Sequence, residues 1–251
     1  MKKTLLALCM AVIALSCAAQ TLTSETLNYK VSYKWGLVHK NAGTATLNLR
    51  VNGGTCHASV YGRTDSWADK FYKLRDTLTS TFSLATMMPT EYQRIAHEGG
   101  RYAHDIVKFT RQGDNVTGNC TRFRRGKGET EVKKSATVLN ARGMTVDMLS
   151  AFYYLRTLDF ASMAKGHATT VNIFSGKKKE LLNITYVGPE TIKYDGKSHA
   201  TYHVRFTFTS DGRKKSSDPI DAWISTDSRH IPLKLEGSLK VGKIRCFYTG
   251  E

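Results

Sequence analysis

Short runs of cations are the densest chemistry in this chain. Arg122, Arg124, Arg125 and Lys127 surround one turn, with Lys133 and Lys134 close by. Lys177, Lys178 and Lys179 form a second run, and Arg213, Lys214 and Lys215 a third. Each run surrounds or forms a turn inferred between strands. Tips at the same end of an antiparallel sheet are neighbours. A shared rim of Lys and Arg would concentrate anionic molecules at its mouth. The candidate ligand-binding residues are therefore Arg124, Arg125, Lys177, Lys178, Lys179, Arg213, Lys214 and Lys215. Solvation of charged loops is the plainer use of the same residues.

Other chemistries have weaker signals. The eight histidines are scattered. His199 and His203 share one strand face but stand far apart along it for a metal pair. Gly-x-Ser-x-Gly and phosphate-loop sequences are absent. Acidic residues are few and sit mostly in turns, which gives paired-carboxylate hydrolysis little to build on. No catalytic residue, metal or cofactor is indicated. Of the five cysteines, Cys56, Cys120 and Cys246 lie beyond the N-terminal leader. An oxidising compartment would permit one disulfide among three possible pairings.

The leader sets the compartment. Lys2 and Lys3 precede an apolar run from Leu5 to Leu15, followed by Ser16, Ala18 and Ala19. That order is a secretory signal peptide over residues 1–19, leaving Gln20 at the mature N-terminus. Ala14-Leu15-Ser16-Cys17 also resembles a degenerate lipobox. In that alternative Cys17 is acylated and tethers the chain to a membrane. No later apolar run has spanning length. The expected location is the periplasm or the outer membrane. The whole chain carries a formal charge of +16. The fitting partners outside the cytoplasm are anionic lipid, lipopolysaccharide or polysaccharide, and not nucleic acid. Membrane association is expected only if Cys17 is lipidated.

The elements that must carry these residues are strands. Period-two alternation runs through 27–35, 44–51, 56–61, 74–84, 91–97, 101–110, 116–124 and 129–138. Gly- and Asn-rich turns separate them at short, regular spacing. Strands resume at 168–174, 180–187, 198–209, 221–225 and 232–247. One helix interrupts them at 145–160. Thr145 can cap it and Asp147 suits its first turn. Leu149, Phe152, Tyr153, Arg156 and Phe160 share one face, and Met148, Ala151, Leu155 and Leu158 the next. So wide an apolar surface predicts burial on most sides, with Phe152 and Tyr153 in the core. The Arg156 charge then needs a partner, with Asp147, Asp227 or a carbonyl as candidates. The loop 62–73, with Trp67, Phe71 and Tyr72, reads as an edge connection or a lid.

Three motifs in order resemble a known family. They are Tyr29-x-Val31-x-Tyr33 with Gly43; Val146 to Arg156; and Trp223-Ile224-Ser225-x-Asp227 with Pro232. Together they resemble the secreted bacterial family called domain of unknown function 3108, over most of the chain. The resemblance implies an exported β-rich protein of Gram-negative bacteria. It implies no established activity and carries over no catalytic residue.

The expected architecture is all-β and mainly antiparallel: a strongly curved sheet or half-open barrel wrapped around one central α-helix, in a single domain over 20–251. The expected function is non-enzymatic binding or assembly of an amphiphilic or anionic envelope component. The alternatives are an envelope polysaccharide or lipid hydrolase, and an adaptor without a small ligand. Asp76-Thr77-Leu78 also resembles a bacterial O-glycosylation sequon, with Thr77 as acceptor.

Overall fold

The computed structural model describes residues 22–210, 216–239 and 242–251. The strands are β1 (Glu25–Trp35), β2 (Val38–Asn52), β3 (Thr55–Thr64), β4 (Leu74–Ser83), β5 (Pro89–Glu98), β6 (Arg101–Gln112), β7 (Asn115–Arg125), β8 (Lys133–Arg142) and β9 (Thr145–Val146). They continue with β10 (Ala168–Phe174), β11 (Lys179–Tyr194), β12 (Lys197–Ser210), β13 (Ile220–Ser225), β14 (Pro232–Ser238) and β15 (Lys243–Gly250). Two helices are described, α1 (Ser66–Asp69) and α2 (Met148–Arg156).

All fifteen strands form one sheet, in the order β8 to β1, then β15 down to β9. Two meanders are therefore sewn together along β1 and β15, where Val31 faces Cys246. Every pairing is antiparallel except β9 with β10. The sheet curls until its ends almost meet. Asn172 Nδ2 donates to the Arg142 and Met144 carbonyls, each at 3.0 Å. The buried Phe174 ring stacks on Phe109 at 5.9 Å. It also presses on Gly118, where an added Cβ would stand 2.5 Å from Phe174 Cδ2. Glycine is required there because the seam of the barrel closes on it. The result is a nearly closed, mostly antiparallel barrel: the strongly curved all-β sheet expected from the sequence, carried further toward closure than a half-open barrel.

The helix is shorter than the 145–160 span. Thr145 and Val146 form β9 instead, and the Thr145 hydroxyl donates to the Gly143 carbonyl. Asp147 is the cap. Its Oδ1 accepts from the Leu149 and Ser150 N–H groups at 2.7 and 2.8 Å, and Ser150 Oγ accepts from the Asp147 N–H at 2.9 Å. This reciprocal box satisfies donors that a helix start otherwise leaves orphaned. The helix ends at Arg156, whose carbonyl accepts from His230 Nδ1 at 3.1 Å. Leu149 and Tyr153 belong to one apolar cluster, and Ala151 and Leu155 to a second. Phe152 is only half-buried, contrary to its expected place in the core, because it faces open space inside the barrel.

Two further expectations are corrected. The run 232–247 is two strands, split by a turn in which Leu239 N donates to the Gly242 carbonyl at 3.0 Å. The strand placed at 129–138 begins at Lys133, because Glu129 folds back to accept from the Gly126 N–H. Cys56, Cys120 and Cys246 are free thiols, so the one disulfide that an oxidising compartment would permit is not made. Burial pushes the Cys56 and Cys246 thiols up to about 11 and raises Cys120 as well.

Candidate functional site

Strand direction sorts the connections into two ends. The β1–β2, β3–β4, β5–β6, β7–β8, β10–β11 and β14–β15 turns all leave from one end. Lys177 and Lys178 are exposed there on the β10–β11 turn, and Lys179 is half-buried as the first residue of β11. Arg124 and Arg125 are not turn residues; they close β7. Arg124 Nη2 holds the buried Asp105 carboxylate at 2.6 Å, and Arg122 Nε holds it at 2.9 Å. Arg124 thus neutralises a buried acid and has little charge to spare for a ligand. Arg125 points outward over the Tyr102 ring, 5.9 Å from its centroid. Arg213, Lys214 and Lys215 lie outside the described residues, as does Cys17.

Inside the barrel is a cavity of about 140 Å³. Met148, Ala151, Phe152 and Leu155 of α2 form one wall. Ile173 of β10, Leu182 and Ile184 of β11, Phe206 and Phe208 of β12 and Leu235 of β14 form the other. Strand alternation explains this wall. The register sets Leu182 opposite Phe208 and Ile184 opposite Phe206, so their side chains share the inner face. The β10–β11 turn that carries Lys177 and Lys178 joins the strands of Ile173 and Leu182. Cation-rich turn and apolar wall are therefore parts of one hairpin. Sequence reasoning missed these lining residues, since an inward apolar residue reads as packed core whether or not something packs on it.

The opposite inner wall is mostly apolar core but carries a polar cluster on β4 and β5. Arg94 Nη2 bridges Asp76, at 2.8 Å, and Glu98. Burial first, and the neighbouring Glu98 second, push the Asp76 carboxyl up to about 6, against the pull of Arg94. Asp76 and Glu98 also hydrogen-bond each other, so the two carboxyl groups and Arg94 form one cluster. Burial also drives the Tyr29, Tyr92 and Tyr153 hydroxyls well above the usual phenol range, which keeps them protonated. Among the described residues no group of three or more His, Cys, Asp or Glu could hold a metal. His203 instead sits between Glu190 and Asp221, at 2.9 and 2.8 Å.

The residues expected to be structural have defined neighbours. Arg156 is buried and pairs with Glu25 rather than with Asp147 or Asp227. It also donates to the Arg229 carbonyl from Nη2 at 3.0 Å. Asp227 organises the turn before Pro232, accepting from Ser225 Oγ at 2.9 Å and the Arg229 N–H at 3.0 Å. Trp223 is covered by the His203 ring at 4.8 Å and by Lys234 Nζ at 3.8 Å. Trp67 of the 62–73 connection donates its indole N–H to the Asn41 carbonyl, and Asp69 pairs with Arg75 at 2.6 Å. Thr77 lies mid-strand on β4, between Tyr61 and Ile95, on the face opposite Asp76.

These features define a barrel-like all-β protein with an apolar cavity between its helix and one wall. The chain belongs to the family described as protein of unknown function DUF3108, whose model matches residues 28–248. Among solved structures it is similar to the beta-barrel-like protein of domain of unknown function DUF1849 from Brucella abortus. The TM-score is 0.59 at 10% identity, over 92% of this chain and 98% of that one. That likeness is one of fold. The lipoprotein LppX of Mycobacterium tuberculosis aligns over 89% of this chain and 84% of its own with 16% identity, but its TM-score of 0.28 supports no fold assignment. No curated protein matches the chain.

Proposed function

We propose that this is an exported, non-enzymatic binding protein for an amphiphilic component of the bacterial envelope. The observation that carries the reading is the cavity beneath the β10–β11 turn. It is almost wholly apolar, and exposed Lys177 and Lys178 stand at the end of its wall. An apolar cavity of about 150 Å³ stays dry and accepts a small apolar group. A volume of 140 Å³ therefore suits one segment of an acyl chain, with its anionic head turned toward the lysines. In this reading the sheet wraps α2 as an internal plug that floors the cavity, and residues 20–251 act as one unit. The leader at 1–19 supports export to the periplasm or outer membrane, with Cys17 acylated in the lipoprotein alternative.

Native mass spectrometry of protein purified from its own envelope fraction tests the reading. A retained amphiphile is expected, as is uptake of added dodecanoate. An Ala151→Phe variant, which fills the cavity, should take up neither. A folded protein that carries no adduct and binds no dodecanoate would overturn the proposal. The same spectra report processing: the mature chain should begin at Gln20 or at an acylated Cys17, and an intact Met1 would contradict export. A mass unaltered by Thr77→Ala, apart from the substitution itself, would remove the glycosylation reading.

A further inference from the structure

The end of the barrel that carries the basic turns also carries its two most exposed apolar side chains, Leu37 and Phe71, together with the exposed Leu239. Leu37, at the β1–β2 turn, is fully exposed. Phe71, in the β3–β4 connection, is 82% exposed, and Leu239, at the β14–β15 turn, is 47% exposed. In the sheet these three hairpins are consecutive, because the order runs β4-β3-β2-β1-β15-β14. Three neighbouring tips at one end thus each present a large apolar side chain to water. Isolated exposed apolar residues are ordinary, but a contiguous set marks an interaction surface.

The charges around them say what kind. Lys34 and Lys40 flank Leu37 on either side, and Lys70 and Lys73 flank Phe71; all four are exposed. Lys40 lies over the Trp67 ring at 4.5 Å, and Trp67 meets Phe71 edge-on at 6.1 Å. The nearby carboxylates are Asp65, Asp69 and Glu98; Asp69 is already held by Arg75 and Glu98 by Arg94. Lys243, behind Leu239, is held by Glu236 at 2.7 Å. Apolar tips with surplus lysines at headgroup height match an anionic bilayer: the tips enter the acyl boundary while the ammonium groups stay among phosphates.

We propose that the protein docks end-on onto an anionic lipid bilayer through Leu37, Phe71 and Leu239, with Lys34, Lys40, Lys70 and Lys73 as the electrostatic collar. This surface is separate from the cavity and needs no bound amphiphile. It does place the basic end of the barrel against the membrane.

The test is co-sedimentation of the purified protein with vesicles of phosphatidylcholine alone or of equal parts phosphatidylcholine and phosphatidylglycerol. Quenching of tryptophan fluorescence by brominated acyl chains reports insertion next to Trp67. Binding to the anionic vesicles is expected, with quenching, and it should weaken in 1 M salt as the screening length falls to ~3 Å. Leu37→Ser with Phe71→Ser should cut partitioning about tenfold or more, as withdrawal of two large apolar side chains implies. Both residues are exposed, so the thermal melt should not move. Val187→Ser, an exposed apolar residue on a strand, should change nothing. Three results would overturn the proposal: no binding to anionic vesicles, unaltered partitioning of the double variant, or an equal loss in the Val187→Ser control. Dodecanoate uptake by the double variant should be normal, which separates failure of this surface from failure of the cavity reading.

Discussion

The buried Arg156–Glu25 pair gives the sharpest energetic prediction. Their side chains are 2% and 5% exposed, so water cannot stabilise either charge once its partner is gone. Removing one member of such a pair costs about 3–5 kcal/mol, because the survivor stays charged and buried. The two members should not be equivalent. In Arg156→Leu, Glu25 retains Arg229, whose Nη2 lies 3.0 Å from Glu25 Oε2. In Glu25→Gln, Arg156 retains the Arg229 carbonyl and the Phe152 and Tyr153 rings, with no carboxylate beside it. Glu25→Gln should therefore lose stability near the top of that range and Arg156→Leu near the bottom. For a chain of this size the losses correspond to melting points lower by roughly 6–20 °C. Urea unfolding of both single variants and the double variant at neutral pH checks this. The double variant should lose less than the sum of the singles, since it leaves no uncompensated pair member. A single-variant loss under about 1 kcal/mol, or strictly additive losses, would refute the reasoning.

Other outcomes follow from the same contacts. Tyr153→Ala should cost about 3–5 kcal/mol, because its ring is buried against Phe82 at 5.7 Å, whereas Phe152→Ala should cost clearly less and enlarge the cavity. Comparing their denaturation midpoints decides the order. Gly118→Val should destabilise by about 1–3 kcal/mol or more through collision with Phe174, and an unaltered melt would mean that the seam does not close there. Asp147 is buried and its carboxyl is pushed up from 3.8 to about 6, so the folded state holds that proton more tightly than the unfolded state. Its contribution is fully present below pH 3.8 and is lost as pH rises through about 6, a change on the order of 3 kcal/mol. Asp147→Asn should flatten that part of the stability profile while keeping the cap, with the Asp76 titration remaining. Glu236 behaves oppositely. Burial would raise its carboxyl, but Lys243, Lys234 and Arg245 hold it at about 2. Its contribution is present above pH 4.5 and fades as pH falls toward 2, and Glu236→Gln should remove that acid-side loss from a pH series of melts.

Much of the architecture is local and therefore readable along the chain. Alternation in β1, β6 and β7 and the glycines between strands specify an antiparallel meander, because side-chain direction on a strand has period two. The helix was also legible as an element. Its start was not, since Thr145 and Asp147 are both acceptable caps. The choice between them rests on Ser80, a distant strand residue whose hydroxyl holds Asp147 Oδ2 at 2.6 Å. The turn containing Gly242 is not legible along the chain for a related reason. It is a close approach to β1, where an added Cβ would meet the Lys34 carbonyl at 2.3 Å.

What the chain determined by itself is the set of faces: which residues point one way along a strand, and which turns can carry charge. It also placed Lys177 and Lys178 beside Ile173 and Leu182, because a hairpin is a local structure. Only the closed sheet decided what those faces meet. Glu25 reaches Arg156, Phe174 fills the notch over Gly118, and Arg124 is consumed by Asp105. Ile173, Leu182, Ile184, Phe206, Phe208 and Leu235 line a gap beside α2. Periodicity reports direction and not distance. A cavity, a buried charge pair and a row of neighbouring tips are all statements about distance between segments remote in sequence.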